Sequence, residues 1–428
     1  MRLLFSKEMA LEIFRIRRYF WRYWVATLVL MGACSGIPVV PQPPVLETAT
    51  ESAIMPTATN IPVCKSIPIA PTSGPEEVSI FPVVSGSEHV KGSMDAAVTI
   101  IEYGDFQCPG CASLAPVLAK LEETFSSELR VVFRQLPLYD IHDKTLLAAQ
   151  AAEAASDEGK FWEMHDLLYG KYEQWVSMNQ DDFNRWLLEQ AENIGLGAAE
   201  FKKKINSQEI IDRVENDLEQ ALSIGLRTTP FLLINGQIYN GPRDYNSLEK
   251  ILRLIALGKR QFTTCPEMSI DPLKQYIATL HTEKGDITIQ LYADNAPLTV
   301  NSFIFLAHNG WYDNIPFHLV IPGYVAQTGD PSGTGLGGPG YLYDNESNGN
   351  LSFDRPGVVA MANSGMNTNG GQFFITYTPQ SDFNGRFTIF GQVIDGMDVL
   401  AQLTPRNSEV DNNPPAGDLL ISVEVVEK

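Results

Sequence analysis

The C-terminal third of the chain contains the sequence Phe317-His318-Leu319-Val320-Ile321-Pro322-Gly323-Tyr324-Val325-Ala326-Gln327-Thr328-Gly329-Asp330. This sequence lies in a block that begins near Asp271, where short strand patterns are joined by Gly-rich connections and helical patterns are scarce. Residues 277–292 alternate around a Lys-Gly turn, which indicates a β-hairpin. Short strands with Gly-rich turns predict an all-β domain, and we expect it to close into a barrel.

Two further stretches of the same block carry long motifs. One precedes the first quoted sequence and is Ala296-Pro297-Leu298-Thr299-Val300-Asn301-Ser302-Phe303. The other follows it and is Met361-Ala362-Asn363-Ser364-Gly365-Met366-Asn367-Thr368-Asn369-Gly370-Gly371-Gln372-Phe373-Phe374-Ile375. Together the three stretches resemble the cyclophilins over about residues 275–428. The resemblance implies a cyclophilin-like closed barrel with flanking helices and peptidyl-prolyl cis-trans isomerase activity.

The resemblance also implies a groove that binds proline-containing peptides. Phe374 would form the proline pocket with Tyr324 and Val325. Gln327 and Asn363 would hydrogen-bond the backbone of the substrate. The expected catalytic residues are Gln327 and Phe374, and the expected substrate-binding residues are Tyr324, Val325, Ala362, Asn363, Gln372 and Phe383.

One position departs from the cyclophilin pattern in a way that bears on activity. The family has an Arg directly after the Phe-His pair, and this chain has Leu319 there. That Arg is taken to donate to the prolyl nitrogen of the twisted amide, and losing such a donor costs on the order of 10² to 10³ in rate. The Trp and His positions of the family are Asp382 and Phe387 in this chain. Two readings stay open: an isomerase, or a proline-binding or chaperone module without the chemistry.

The preceding block, residues 79–262, alternates strand and helix patterns. A β-branched run over residues 97–103 stops at Gly104, and apolar side chains then recur at helical spacing over 114–125. The motif Cys108-Pro109-Gly110-Cys111 lies where that strand passes into that helix. Helix amides and the helix dipole would stabilise a thiolate at the first Cys, and the second would resolve a mixed disulfide. A zinc site is disfavoured, because the other cysteines are single and no His pair lies at ligand spacing. A purely structural bridge is disfavoured, because closing a two-residue loop adds little stability and the motif lies at a reactive position.

The stretch Glu102-Tyr103-Gly104-Asp105-Phe106-Gln107-Cys108-Pro109-Gly110-Cys111 resembles the active site of DsbA-like thioredoxin-fold oxidoreductases. Helical patterns within 146–222 match the helical insertion of that family, and residues 228–236 match its cis-proline loop and the strand after it. The resemblance implies an α/β thioredoxin fold with a helical insertion. It further implies that Cys108 exchanges with substrate, Cys111 resolves, and Pro230 is the cis residue beside them. Glu102 either tunes proton transfer at the dithiol or is only a salt-bridge partner.

The N-terminus has the pattern of an export signal. Cationic side chains precede an apolar run over residues 23–33, which is too short to span a bilayer. The run ends in Leu30-Met31-Gly32-Ala33-Cys34, which resembles the lipobox of bacterial lipoproteins. We therefore expect residues 1–33 to be a signal peptide and Cys34 to be lipidated; the alternative is an uncleaved anchor with an incidental Cys. Residues 34–78 are rich in Pro and Thr and predict a disordered tether.

Two cysteines remain after Cys34 and the CxxC pair are assigned. These are Cys64 in the tether and Cys265 in the predicted linker 263–274. Because an even number of cysteines is left unassigned in a protein expected to be exported, a disulfide between these two is predicted. Free or intermolecular thiols are the alternative.

Composition and length limit the remaining possibilities. The 428 residues predict two or three domains, and the formal net charge of -20 argues against nucleic acid as a partner. We expect a multidomain, membrane-anchored lipoprotein exposed outside the cytoplasm, which acts on unfolded or folding exported polypeptides and needs no cofactor. Its dithiol would exchange with a membrane redox partner, and Cys34 would attach the chain to the lipid membrane. The rival hypotheses are a non-enzymatic tethered chaperone and an electron-transfer dithiol with a docking domain.

Overall fold

The computed structural model describes residues 63–67, 80–86, 88–346, 351–407 and 415–428. The expected signal peptide, Cys34 and most of the expected tether lie outside these ranges. Residues from Asn60 to Lys428 form one compact unit, within which a thioredoxin-like domain precedes a cyclophilin-like one. Within the described ranges, no helix combines the length and the apolar character that crossing a bilayer requires.

The N-terminal domain is built on a five-stranded sheet. After the short strand β1 (Cys64–Ser66), which belongs to another sheet, its strands are β2 (His89–Gly92), β3 (Val98–Gly104), β4 (Leu129–Gln135), β5 (Phe231–Ile234) and β6 (Gln237–Tyr239). Their order is β2-β4-β3-β5-β6. Only the central pair β3–β4 is parallel. Strand β3 is the β-branched run of the sequence, and both strands are buried because helices cover them.

Eight helices complete this domain. They are α1 (Pro109–Thr124), α2 (Thr145–Ser156), α3 (Phe161–Gly170), α4 (Tyr172–Trp175), α5 (Gln180–Asn193), α6 (Ala198–Ile205), α7 (Gln208–Ser223) and α8 (Tyr245–Leu257). Helices α2 to α7 lie between β4 and β5 in the chain and form the helical insertion. Helix α1 connects β3 to β4 and buries one face against the sheet, so its N-terminus lies at the carboxyl end of β3.

The C-terminal domain is a curled sheet with helix α9 (Pro297–His308) and the short helix α10 (Met397–Leu400). Its strands are β7 (Tyr276–Thr282), β8 (Gly285–Leu291), β9 (Ile315–Pro316), β10 (Leu319–Ile321), β11 (Val325–Thr328), β13 (Val358–Met361), β14 (Phe373–Thr376), β15 (Ile389–Asp395), β16 (Arg406–Asn407) and β17 (Leu419–Glu427). The strand order is β16-β10-β11-β14-β13-β15-β8-β7-β17-β9.

The prediction of a closed barrel was wrong, because this sheet is a curled half-barrel. Its two edge strands, β9 and β16, have only two residues each, and they are not paired with each other. Pro316 in β9 has no N–H to donate, so this edge offers few backbone groups for further pairing. Several side chains of helix α9 belong to the core of the domain.

Strand β1 pairs with β12 (Tyr341–Tyr343) of the C-terminal domain, antiparallel, with Cys64 opposite Tyr343. This strand falls inside the range expected to be a disordered tether, so that expectation does not hold for Cys64–Ser66. A disulfide joins Cys64 to Cys265, 201 residues apart in the chain. The stretch expected to be a free linker is also packed, since Cys265 and Ile270 contact the core of the C-terminal domain.

Candidate functional site

The dithiol lies at the N-terminus of helix α1. Cys108 is the N-cap residue, with extended backbone angles, and Pro109 occupies the first turn, where a missing N–H costs nothing. Both cysteines are free thiols and both are buried, with relative exposures of 7% for Cys108 and 0% for Cys111. Backbone N–H groups at the helix start therefore face the sulfur of Cys108, as the sequence predicts.

The loop before the dithiol is held by one buried carboxylate. Asp105 accepts hydrogen bonds from the backbone N–H of Gln107 at 2.8 Å and of Leu138 at 2.8 Å. Its oxygens also lie 2.5 Å from the hydroxyl of Thr145 and 2.7 Å from Nδ1 of His142. This network fixes the path of the chain between β3 and α1. Sequence reasoning missed it, because the partners come from three separate segments.

Pro230 lies directly against the dithiol. The Thr229–Pro230 peptide bond is cis, and the thiol of Cys108 donates to the carbonyl oxygen of Thr229 at 3.4 Å. A Cβ atom added at Gly110 would lie 3.0 Å from Cδ of Pro230 and 3.6 Å from Sγ of Cys108. The glycine of the motif thus allows the proline ring to approach, and Cys108, Cys111 and Pro230 form one site.

The two thiols have opposite electrostatic surroundings. The hydrogen bond from the thiol of Cys111, together with the N–H groups of Gly110 and Cys111, lowers the pKa of Cys108 to about 5. Burial raises the pKa of Cys111 well above its usual value, and the hydrogen bond with Cys108 adds to this effect. At neutral pH Cys108 is therefore the thiolate and nucleophile, while Cys111 keeps its proton.

Glu102 on β3 is a buried carboxyl group close to both thiols. Its burial raises its pKa to about 8, and the negative charge at Cys108 adds to this shift. Its Oε1 has no hydrogen-bond partner among the described residues. Glu102 also lines a narrow cleft with His165 and Asp166, among others. A carboxyl group of this kind can exchange a proton near neutral pH, which favours the proton-transfer interpretation over the salt-bridge one.

A second site lies in the C-terminal domain, on the face formed by β11 and β14. Val325 and Phe374 are buried there, while Tyr324 is 39% exposed at the rim. Phe383 lies between them, with ring centroids 5.4 Å from Tyr324 and 5.6 Å from Phe374. Phe387 closes the far wall at 5.2 Å from Phe374. These side chains form an apolar cluster with Tyr324 at its exposed rim.

Polar groups next to this cluster are oriented by a chain of hydrogen bonds. Gln327 lies opposite Phe374 in the sheet, and its Nε2 donates to Oε1 of Gln372 at 2.9 Å. Gln372 in turn donates to the carbonyls of Gly335 at 3.1 Å and Gly337 at 2.8 Å. Its backbone carbonyl accepts from the N–H of Ala362 at 2.9 Å. The groove wall is therefore tied to the Gly-rich loop of residues 330–340.

Asn363 lies at the other end of the groove. Its side-chain amide donates to the backbone carbonyl of Arg386 at 3.1 Å. The guanidinium of Arg386 lies over the ring of Phe387, 5.6 Å from its centroid. Arg386 is exposed at the rim of the pocket, so its charge faces solvent beside the apolar wall.

Leu319 occupies the position where an Arg was expected. It lies opposite Gln327 in the sheet and packs, half-buried, against the apolar cluster that includes Val325 and Phe374. The pocket wall thus continues as hydrocarbon where the family pattern has a cation. This packing explains how the position accepts Leu, since the side chain extends an existing apolar surface.

Comparisons with known proteins divide the chain in the same way. The family model described as cyclophilin type peptidyl-prolyl cis-trans isomerase matches residues 277–425, and the one described as thioredoxin matches residues 84–253. A peptidyl-prolyl cis-trans isomerase-like 1 of Aspergillus niger is 41% identical over 150 residues, which are 34% of this chain and 93% of that protein. Peptidyl-prolyl cis-trans isomerase A of Mycobacterium tuberculosis is 45% identical over 146 residues, which are 31% of this chain and 80% of that protein.

The C-terminal domain was also compared with solved structures. A cyclophilin type peptidyl-prolyl cis-trans isomerase of Cryptosporidium parvum is 33% identical, with a TM-score of 0.34. The match covers 36% of this chain and 99% of that one.

The pKa of Cys108 leads to a test by alkylation of the reduced protein with iodoacetamide. Because only the thiolate reacts, we expect the rate to rise with pH around a midpoint of about 5 and to be level by pH 7. A Cys108→Ser variant should lose this fast phase, since Cys111 is buried and protonated. A midpoint near the ordinary thiol value of about 8.5 would contradict the assignment.

Proposed function

The chain belongs to the cyclophilin-type peptidyl-prolyl cis-trans isomerases, and we propose that it is an extracytoplasmic folding factor that couples prolyl isomerisation with thiol-disulfide exchange. The observation that carries the proposal is that one compact unit, Asn60–Lys428, holds both the apolar cluster around Phe374 and a dithiol with an acidic first thiol beside Pro230. Disulfide exchange and prolyl isomerisation are two slow covalent steps in protein folding.

For the isomerase, the pocket formed by Val325, Phe374 and Phe383 would hold the proline ring. Gln327 and Asn363 would bind the backbone on either side of the rotating bond. Apolar surroundings favour the twisted amide, because it has less charge separation than the planar one. The side chain at 319 offers no hydrogen bond to the prolyl nitrogen, so we infer a slow isomerase with an intact binding groove.

For the dithiol, we infer that the disulfide form of the protein oxidises substrates. A substrate thiolate attacks Sγ of Cys108 and forms a mixed disulfide, while Cys111 leaves and takes a proton from Glu102. A second substrate thiolate then attacks the substrate sulfur, and Cys108 leaves as a thiolate. The substrate loses two electrons and the protein gains them. The low pKa of Cys108 makes it a good leaving group, which favours this direction.

This mechanism needs a partner that restores the disulfide of Cys108 and Cys111. We infer a membrane redox protein of the thiol-disulfide class, which would accept two electrons from the reduced dithiol. The helical insertion between β4 and β5 is consistent with a DsbA-like relative. The backbone beside Pro230 would hold an extended substrate chain by strand addition.

The isomerase proposal is tested by Leu319→Arg in the full-length protein, with an X-Pro peptide as substrate. We expect the variant to raise kcat/KM by about 10²-fold, because it supplies the missing donor in the transition state. Leu319→Met is the matched control and should leave the rate near that of the wild type. A folded Leu319→Arg variant with no gain would contradict the placement of Leu319 at the reaction centre. A wild type that binds the peptide without turnover would support the non-catalytic alternative.

The dithiol proposal is tested with a reduced dithiol peptide and the protein in its disulfide form. We expect one peptide disulfide per protein. Neither Cys108→Ser nor Cys111→Ser should react, because neither variant can form the disulfide that accepts the two electrons. A double variant Cys64→Ser with Cys265→Ser should retain the activity, because those residues form the separate disulfide. Equal oxidation by wild type and Cys108→Ser would refute the proposal.

The location outside the cytoplasm rests on the sequence of residues 1–34, which lie outside the described residues. We propose that Cys34 is lipidated and anchors the chain at the membrane surface, where exported polypeptides are its substrates. In cells that express the protein, labelled palmitate should appear in the wild type and be absent from Cys34→Ser. The variant should also leave the membrane fraction, and retention there would point to an uncleaved anchor.

A further inference from the structure

We propose that the segment Leu257–Phe262, which ends the thioredoxin-like domain, is a positioning element of the isomerase site. It supports the Gly-rich loop 330–340, and this loop orients Gln372 and, through it, Gln327. The inference rests on the proposed isomerase function and deepens it. It assigns to the first domain a role in the chemistry of the second.

The inner side of the loop is fixed by the carboxylate of Asp330. This buried group accepts from the backbone N–H of Ser332 at 2.8 Å, of Gly335 at 2.8 Å and of Gly337 at 3.0 Å. These bonds curl the loop around the carboxylate. The carbonyls of Gly335 and Gly337 are thereby turned toward the amide of Gln372.

The outer side of the loop rests on the segment Leu257–Phe262. A Cβ atom added at Gly337 would lie 2.6 Å from Cδ2 of Leu257, so the leucine fills the space beside this glycine. The side chain of Gln261 donates to the carbonyl of Gly338 at 2.8 Å. The backbone N–H of Phe262 donates to the carbonyl of Pro339, also at 2.8 Å. Three consecutive loop residues are therefore held by side-chain packing and hydrogen bonds.

The segment is itself anchored in the C-terminal domain. The ring of Phe262 packs against Phe305 at 4.8 Å and Trp311 at 6.2 Å between centroids. The guanidinium of Arg260 donates to the carbonyls of Gly310 at 2.9 Å and Trp311 at 3.1 Å. Leu257 is 4% exposed and belongs to the core of the C-terminal domain, although it is the last residue of α8.

The loop 330–340 needs this anchoring because it is rich in glycine. Glycine residues carry the largest backbone entropy, so a loop of this kind needs external contacts to hold one conformation. An active-site group has to stay within about 0.5 Å of its productive position, and a shift of about 1 Å can cost about 100-fold in rate. The residues that supply the contacts precede the start of the cyclophilin match at 277. The functional isomerase unit therefore extends at least to Leu257.

The disulfide provides a second attachment of the same region. Cys265 follows the segment, and Cys64 holds β1 against β12. Tyr343 at the end of β12 donates from its N–H to the carbonyl of Asn369 at 2.9 Å, and Asn369 leads into Gln372. The disulfide Cys64–Cys265 thus connects the chain that follows Leu257–Phe262 with β1, which pairs with β12 next to Asn369.

The test uses the full-length protein with Leu257→Ala and Gln261→Ala. We expect kcat for an X-Pro peptide to fall about 10-fold to 100-fold, because Gln327 is displaced from its productive position. KM should change less than kcat, because the apolar side chains that would hold the proline ring are untouched. Amide hydrogen exchange over residues 332–340 should become faster in both variants. Leu257→Met should restore kcat and protection. Ile255→Ala is the matched control: it removes a side chain from the same helix that packs in the N-terminal domain, so it should change neither readout.

Each alternative outcome has a distinct meaning. Unchanged exchange over 332–340 in both variants would overturn the support of the loop. Faster exchange with unchanged kcat would overturn its positioning role. Equal losses in Leu257→Ala and Ile255→Ala would show a general loss of stability and also refute the proposal. A wild type without turnover would overturn the proposed isomerase function, and the exchange measurement would then still decide whether the segment supports the loop.

Discussion

Leu257 belongs to two domains at once, and much of the structure depends on this packing. It is the last residue of helix α8, whose other apolar side chains pack on the sheet of the thioredoxin-like domain, yet it is buried in the core of the C-terminal domain. The connection between the domains therefore cannot swing as a flexible linker would. Residues 258–262 follow it along the cyclophilin-like surface, and the disulfide of Cys265 continues the attachment. Two sites that could have been tethered loosely are instead parts of one compact unit.

Burial produces the chemistry of the dithiol. The same helix terminus places Cys108 where N–H groups face its sulfur and Cys111 one turn deeper, out of water. Transfer into an apolar environment penalises charge, so the deeper thiol and Glu102 keep their protons up to a higher pH. The first thiol escapes this penalty because hydrogen bonds stabilise its charge. The difference in burial thus leaves one thiol ionised at neutral pH and the other protonated.

In the C-terminal domain the apolar environment has a different role: it would bind a proline ring, whereas at the dithiol it changes the pKa of ionisable groups. Aromatic rings from β14 and from the turn around Phe383 build its walls, and Leu319 extends them. Binding of a proline ring needs only this surface and the polar groups at its ends. Acceleration of isomerisation needs groups that act on the twisted amide, which is a separate requirement. The chain keeps the first set of residues and lacks one member of the second, so binding and catalysis can differ in strength here.

Local patterns in the sequence determined the identity of both domains and the position of the CxxC motif, because strand-to-helix periodicity and long motifs depend on neighbouring residues. Both domains are present, and the structure brings Cys108, Cys111 and Pro230 together, as it does Tyr324, Val325 and Phe374. Contacts between residues distant in the chain decided the rest. The open edge of the sheet follows from the shortness of β9 and β16, and the ordering of Cys64–Ser66 follows from its pairing with β12. The attachment of the Gly-rich loop to Gln372 and Leu257 could not be predicted from the sequence. Hydrogen bonds and packing join segments there that are distant in the chain, and the local pattern of one segment does not indicate its contact with another.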